Sequence, residues 1–113
     1  MDRAGVEALC LSLPGAVLDY PFGPQAAVYK VGGKMFCMSS QGQGVSFKVS
    51  DMAYQILTEN GLARPAPYLA KARWVNLAQP SDWADDDLAD HLRGAHQIIV
   101  SKLPKRQRLE LGL

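Results

Sequence analysis

Two adjacent glycines, Gly32 and Gly33, constrain the fold more than any other feature of this sequence, because strand-like runs lie on both sides of them. Ala26–Val31 and Lys34–Ser40 contain the β-branched and aromatic residues that are typical of strands. Glycine accepts the positive φ angles that a two-residue hairpin turn requires. A third strand-like run, residues 45–49, follows after a loop with two more glycines. The pattern predicts three consecutive antiparallel strands.

The hairpin turn also predicts which side chains share a face of the sheet. If Val31 faces Lys34, then Lys30 pairs with Met35, Tyr29 with Phe36 and Val28 with Cys37. Side chains alternate between the two faces of a strand, and the bulkier set is expected in the core. The predicted core face carries Tyr29, Val31, Phe36, Met38, Val45, Phe47 and Val49. The predicted outer face carries Val28, Lys30, Met35, Cys37, Ser46 and Lys48.

Three other segments repeat apolar residues every three or four positions and are predicted to be helices. The first begins after Asp2, the second begins at Ser50 or Asp51, and the third runs from about Asp85 to Lys102. Residues 73–77 are predicted to be a further strand. The inward positions of the second helix are predicted to be Met52, Ala53, Ile56 and Leu57. The inward positions of the third are predicted to be Leu88, Leu92, Ala95, Ile99 and Leu103.

This order of elements predicts an α+β fold, in which helices pack on one face of an antiparallel sheet. A chain of 113 residues is expected to form one domain, residues 1–113. The two cysteines, Cys10 and Cys37, are too few and too far apart in sequence for a zinc site or a redox pair. Buried free thiols are the expected state, and they favour a reducing cytoplasm. No apolar run approaches about 18 residues, so a membrane span is not expected.

The polar residues do not combine into a recognisable catalytic or metal site. Consecutive helical aspartates such as Asp85 and Asp86 point about 100° apart and do not converge on one ion. His91 and His96 are five residues apart, which places them on different faces of a helix. No serine has a local partner that would activate it, and Cys37 has no activating cation unless Lys30 or Lys48 supplies one. We therefore expect a protein that is not an enzyme and that uses no cofactor and no metal.

Basic residues near the predicted sheet form a candidate nucleic-acid site. The net charge of +1 gives no global field, so any attraction to phosphates must come from a local patch. The candidate residues are Lys30, Lys34, Lys48, Lys71, Arg73 and Trp74, with cations for phosphates and an aromatic ring for a base. A second basic group comprises Lys102, Lys105, Arg106 and Arg108. The alternative interpretation of both groups is ordinary solvated surface charge.

Two other functions remain open at this stage. The partly apolar outer face, with Val28, Met35 and Cys37, would suit a protein partner or a homodimer. A small-molecule site near Trp74 and Tyr68 would need a concave pocket.

Several short motifs, in their order along the chain, resemble the MmcQ/YjbR family. The motifs are Leu13-Pro14-Gly15, Pro21-Phe22-Gly23, Tyr29-Lys30-Val31-Gly32-Gly33-Lys34-Met35-Phe36, Phe47-Lys48, Tyr68-Leu69-Ala70-Lys71, Trp74-Val75 and Lys102-Leu103-Pro104-Lys105. Members of this family are similar in fold to the bacterial frataxin CyaY, and a double-wing arrangement of hairpins is proposed to bind DNA. The resemblance implies a frataxin/CyaY-like fold with wings at the Gly32 turn and at residues 41–44. It also implies phosphate contacts from Lys30, Lys34, Lys48 and Lys71.

Overall fold

The computed structural model describes residues 1–113 and contains one six-stranded sheet and four α-helices. The strands are β1 Val17–Asp19, β2 Ala26–Val31, β3 Lys34–Ser40, β4 Gly44–Lys48, β5 Arg64–Pro65 and β6 Trp74–Leu77. The helices are α1 Arg3–Ser12, α2 Asp51–Glu59, α3 Asp85–Lys102 and α4 Lys105–Glu110. The strand order is β1-β2-β3-β4-β6-β5, and every neighbouring pair is antiparallel. The predicted α+β class is confirmed.

The glycine turn between β2 and β3 has the predicted position. Gly32 has a φ of 59° and Gly33 a φ of 80°, which is the left-handed pair that a type I′ turn needs. A Cβ atom at Gly32 would lie 2.7 Å from a methyl carbon of Leu103, just after α3 ends. The absence of a side chain therefore lets the end of α3 pack against the turn.

The predicted register holds for only two residue pairs of this hairpin. Val31 pairs with Lys34 and Lys30 pairs with Met35, as expected. The register then shifts, and Tyr29 pairs with Cys37. The predicted pairs Tyr29–Phe36 and Val28–Cys37 are wrong, because a β-bulge inserts one extra residue into β3. Beyond the bulge, each β3 side chain lies on the face opposite to the one predicted.

The bulge changes which β3 residues form the core. Phe36 and Cys37 both belong to the buried core cluster, whereas Met38 is only half-buried and lies on the opposite face. The predictions for Cys37 as an outer residue and Met38 as a core residue were therefore wrong. The next strand follows the prediction, since Val45 and Phe47 are fully buried.

The helices α1 and α3 pack on one face of the sheet and close the core against it. The predicted inward positions of α3 are confirmed, and all five are buried: Leu88, Leu92, Ala95, Ile99 and Leu103. Cys10 from α1 and Cys37 from β3 are both fully buried free thiols, as predicted. Burial raises the pKa of Cys37, and the neighbouring Cys10 thiol raises it further. The fold thus brings together two thiols that are distant in the sequence.

The helix α2 packs at the edge of the sheet rather than across it. Its start is confirmed, because the Ser50 hydroxyl accepts a hydrogen bond from the Ala53 amide at 3.1 Å. Leu57 is buried, but Met52 and Ile56 are 72% and 50% exposed, so their predicted inward positions are wrong. The strand contacts of α2 are with β5 and β6, and only one side of the helix reaches the core.

Candidate nucleic-acid interface

The face of the sheet opposite α1 and α3 carries a groove of about 360 Å³. We call it the open-face groove. Met35 and Met38 of β3 line it, together with Phe22 from the loop after β1 and Tyr68 from the segment before β6. Gln25, Gln41 and Gln43 supply polar groups, and the lining contains no charged side chain.

Local sequence explains why this groove exists. Prolines on both sides of Phe22 take the chain out of the β-ladder after β1, because proline has no N–H to donate. Gln25 then donates a side-chain hydrogen bond to the Phe22 carbonyl at 3.3 Å. On the other side, Tyr68 has a φ of 67°, which is unusual for a bulky residue. The β3 bulge completes the groove by turning Met38 to this face.

A polar cluster occupies the neighbouring part of the same face. The Asn76 amide nitrogen donates to the Gln43 carbonyl at 2.8 Å and to the Ser46 hydroxyl at 2.9 Å. The Asn76 side-chain oxygen accepts from Arg64 Nε at 2.7 Å. Each of these buried polar contacts has a partner, so the cluster is structural rather than an unused binding site.

Two of the six predicted nucleic-acid residues are buried. Lys48 is only 8% exposed and donates a hydrogen bond to the Ala72 carbonyl. Burial lowers the pKa of Lys48, and the nearby Lys102 and Arg73 cations lower it further. Trp74, which pairs with Lys48 across the sheet, is 4% exposed. Neither side chain presents a free surface for phosphate contact or base stacking in this conformation.

Two further predicted residues are held by carboxylates. The Lys30 ammonium lies 2.9 Å from Asp19 Oδ2, and this hydrogen bond lowers the pKa of Asp19. Arg73 Nε lies 3.1 Å from Asp51 Oδ1, while its guanidinium carbon lies 5.1 Å from the centre of the Tyr54 ring. Both ion pairs are partly exposed, so they are weak enough to be exchanged for a phosphate.

The last two predicted residues, Lys34 and Lys71, are exposed and form no ion pair. Lys34 pairs with the core residue Val31, so its side chain lies on the face opposite to that of the groove residue Met35. Lys71 follows the groove residue Leu69 by two positions. The structure therefore does not gather the six residues into one patch. It places Lys30, which pairs with Met35, on the face of the uncharged groove and leaves Lys71 exposed near Leu69.

The sequence interpretation missed most of the groove. The motif containing Phe22 carried the family resemblance but was not assigned a site. The predicted outer surface of Val28, Met35 and Cys37 contributes only Met35, because the other two are fully buried. A pocket near Tyr68 is present, but Trp74 does not line it. The proline pair around Phe22 was the available signal, since it predicts a rigid loop leaving the sheet.

The two histidines make structural hydrogen bonds to the backbone. His96 Nε2 lies 2.7 Å from the Pro14 carbonyl oxygen, which ties α3 to the segment after α1. His91 Nδ1 lies 2.9 Å from the Asp87 carbonyl oxygen rather than pairing with the Asp87 carboxylate. No α-helix in the structure has both the length and the apolar character needed to cross a bilayer.

The chain matches a known family model and is similar to known proteins. The family model described as YjbR matches residues 11–98. The chain is similar to the uncharacterized protein YbdF of Escherichia coli O157:H7, with 31% identity over 104 residues, which cover 88% of this chain and 85% of the relative. It is also similar to the crystal structure of the Deinococcus radiodurans protein DR2400, which has a DUF419 domain. That match has a TM-score of 0.88 and 25% identity, and it covers 99% of this chain and 88% of the other.

Proposed function

The chain belongs to the YjbR family, and from that premise we propose that it is a non-enzymatic protein that binds DNA along the helix-free face of its sheet. The observation that carries the proposal is a groove without charged lining that has two cations near it: Lys30, which pairs with the groove residue Met35, and the exposed Lys71, two residues after Leu69. Phosphates would contact the ammonium groups while less polar parts of the nucleic acid meet the groove. The two buried free thiols favour a cytoplasmic location.

The number of available cations determines how strongly salt should weaken this binding. Lys71 is exposed and unpaired, and Lys30 becomes available when its exposed pair with Asp19 opens. Each neutralised phosphate contributes about −0.9 to the slope of log K against log salt for duplex DNA. One or two contacts therefore correspond to a slope of about −1 to −2.

Fluorescence anisotropy of a dye-labelled duplex over a salt series tests this proposal. Lys71→Ala should make the slope shallower by about 0.9. Lys105→Ala is the matched control, because Lys105 is an exposed lysine on α4 without an ion pair. It should leave the slope unchanged. Absence of binding at low salt, both to the duplex and to a single strand, would refute the proposal.

A homodimer is the second candidate, and the exposed aromatic residues of the groove favour it. Phe22 is 59% exposed and Tyr68 is fully exposed, which is unusual for side chains of this size. Two copies meeting at the groove would bury both rings. Sedimentation velocity over a concentration series should then show self-association that Phe22→Ser weakens. A strictly monomeric protein at high concentration would rule this candidate out.

A further inference from the structure

The open-face groove has a lining whose chemistry is unlike that of a phosphate site. Its side chains are apolar or uncharged, with Met35 and Met38 as soft apolar surface and the rings of Phe22 and Tyr68 beside them. Methionine adapts its shape and makes favourable contacts with aromatic rings. The fold does not need either ring in its core, since both are exposed. The groove therefore suits a flat, uncharged, aromatic group.

The polar groups of the lining narrow the ligand class. Gln25, Gln41 and Gln43 each carry an amide, which offers both a hydrogen-bond donor and an acceptor. The edges of nucleobases also combine donors and acceptors, and their faces stack on aromatic side chains. A carboxylate or phosphate would find no cation within the lining itself.

The size and surroundings of the groove favour an unpaired base over a paired one. Its volume of about 360 Å³ is near the lower end of the range typical of small-molecule pockets, about 300–1,000 Å³. Bases in a duplex are stacked inside the helix and offer only their edges. An unpaired base can instead enter the groove, while its flanking phosphates reach toward Lys30 and Lys71.

We infer that the open-face groove binds an unpaired nucleobase, so that single-stranded nucleic acid is the preferred ligand of this surface. The inference rests on the proposed nucleic-acid function and specifies its ligand class. Phe22 and Tyr68 supply the stacking surface, and the glutamine amides hydrogen-bond to the edge of the base.

The first experiment compares a dye-labelled oligothymidylate with a duplex of equal length by fluorescence anisotropy. The intact protein should bind the single strand more tightly. Phe22→Ala and Tyr68→Ala should each weaken single-strand binding about five- to a hundredfold, because one stacking surface is lost. Their salt slopes should stay unchanged, since no cation is removed. Tyr68→Trp should retain the affinity, and Leu109→Ala, an exposed apolar residue on α4, is the matched control.

The second experiment uses a probe without phosphate. Thymidine should shift the NMR signals of the Met35 and Met38 methyl groups in the intact protein and not in the Phe22→Ala variant. Circular dichroism checks that the variants fold.

These results separate the inference from the function on which it rests. Equal affinity for both nucleic acids, with no effect of the aromatic variants but a loss in Lys71→Ala, would overturn the base site and leave DNA binding intact. Methyl shifts with thymidine but no binding of either polymer would support the base site and refute the DNA proposal. Self-association that Phe22→Ala and Tyr68→Ala both abolish, with no thymidine shifts, would assign the groove to a second copy and overturn the inference.

Discussion

The two faces of the sheet use the same strands for different purposes. The covered face meets α1 and α3 and buries large apolar side chains completely, including Phe36 and Phe47. The open face has no helix on it, and its polar cluster around Asn76 is satisfied by its own partners. Its remaining surface is the groove with half-exposed methionines and exposed rings.

This difference separates stability from binding. Apolar burial, which dominates folding free energy, is concentrated on the covered face. The open face can therefore carry exposed aromatic and cationic side chains that the fold does not require. Substitutions of fully buried side chains on the covered face should change stability most, and substitutions of exposed groove side chains should mainly change binding.

The largest expected effect is the difference in stability loss between Phe47→Ala and Met38→Ala. Phe47 is fully buried, so its truncation should lower the free energy of unfolding by about 3–5 kcal/mol. Met38 is half-buried in the groove, and its truncation should lower it by only about 1–2 kcal/mol. Urea denaturation gives both values. If both variants lose the same free energy of unfolding, side chains of the open face contribute to stability as much as those of the core.

The covered face was largely predictable from sequence, because its signals are local and periodic. The three- and four-residue spacing of Leu88, Leu92 and Ala95 is sufficient to place one side of α3 in the core. The β3 bulge was not predictable in the same way. A single extra residue reverses every later side chain, and no pattern near Phe36 marks it.

The second test concerns the polar cluster on the open face. Asn76→Ala removes the partner of Ser46, Arg64 and the Gln43 carbonyl together, and should lower the free energy of unfolding by about 1–3 kcal/mol. Ser46→Ala removes one contact and should lower it by about 0.5–1.5 kcal/mol. A double-mutant cycle measures the coupling between the two side chains. Purely additive effects would contradict a connected cluster.

The candidate site was less predictable than the fold, since burial and pairing decide which cations are free. Sequence composition does not distinguish exposed Lys34 from Lys48, which is buried and donates to a backbone carbonyl. It also does not reveal that Lys30 already has a carboxylate partner, Asp19. Tertiary contacts set both properties, and they reduce six predicted contacts to two free ones.

The third test uses the pH dependence of Lys48. Its pKa is lowered in the folded protein, so between that lowered pKa and the ordinary value of 10.5 the unfolded chain binds more protons. Stability should therefore rise with pH across this window. Lys48→Met removes this titrating group. The free energy of unfolding of the intact protein should therefore rise relative to that of the variant as the pH rises toward 10.5.

Urea denaturation at pH 7 and pH 10 measures how the difference in free energy of unfolding between the intact protein and Lys48→Met changes with pH. Lys71→Met, at an exposed position, controls for the loss of any surface lysine. If the difference in free energy of unfolding is the same at both pH values, the prediction that burial lowers the pKa of Lys48 is contradicted.

The smallest expected effect comes from the ion pair at the edge of the open face. The Lys30 ammonium lowers the pKa of Asp19 below 3.8, so this pair stabilises the fold above that pH. The stabilisation is lost as the pH falls through the lowered pKa. Asp19→Asn should remove this acid-dependent loss and also free Lys30 for a phosphate. DNA affinity should then rise about two- to fivefold, and the salt slope should steepen by about 0.9.

Asp90→Asn gives this last prediction its control. Asp90 is paired with Arg93 on α3, so the substitution makes the same change in net charge on the covered side of the molecule. Anisotropy titrations should show a higher affinity only for Asp19→Asn, because only that variant releases a cation beside the groove. An equal rise in both variants would mean that net charge, rather than Lys30, controls binding. The two faces would then not differ in the way their exposed groups indicate.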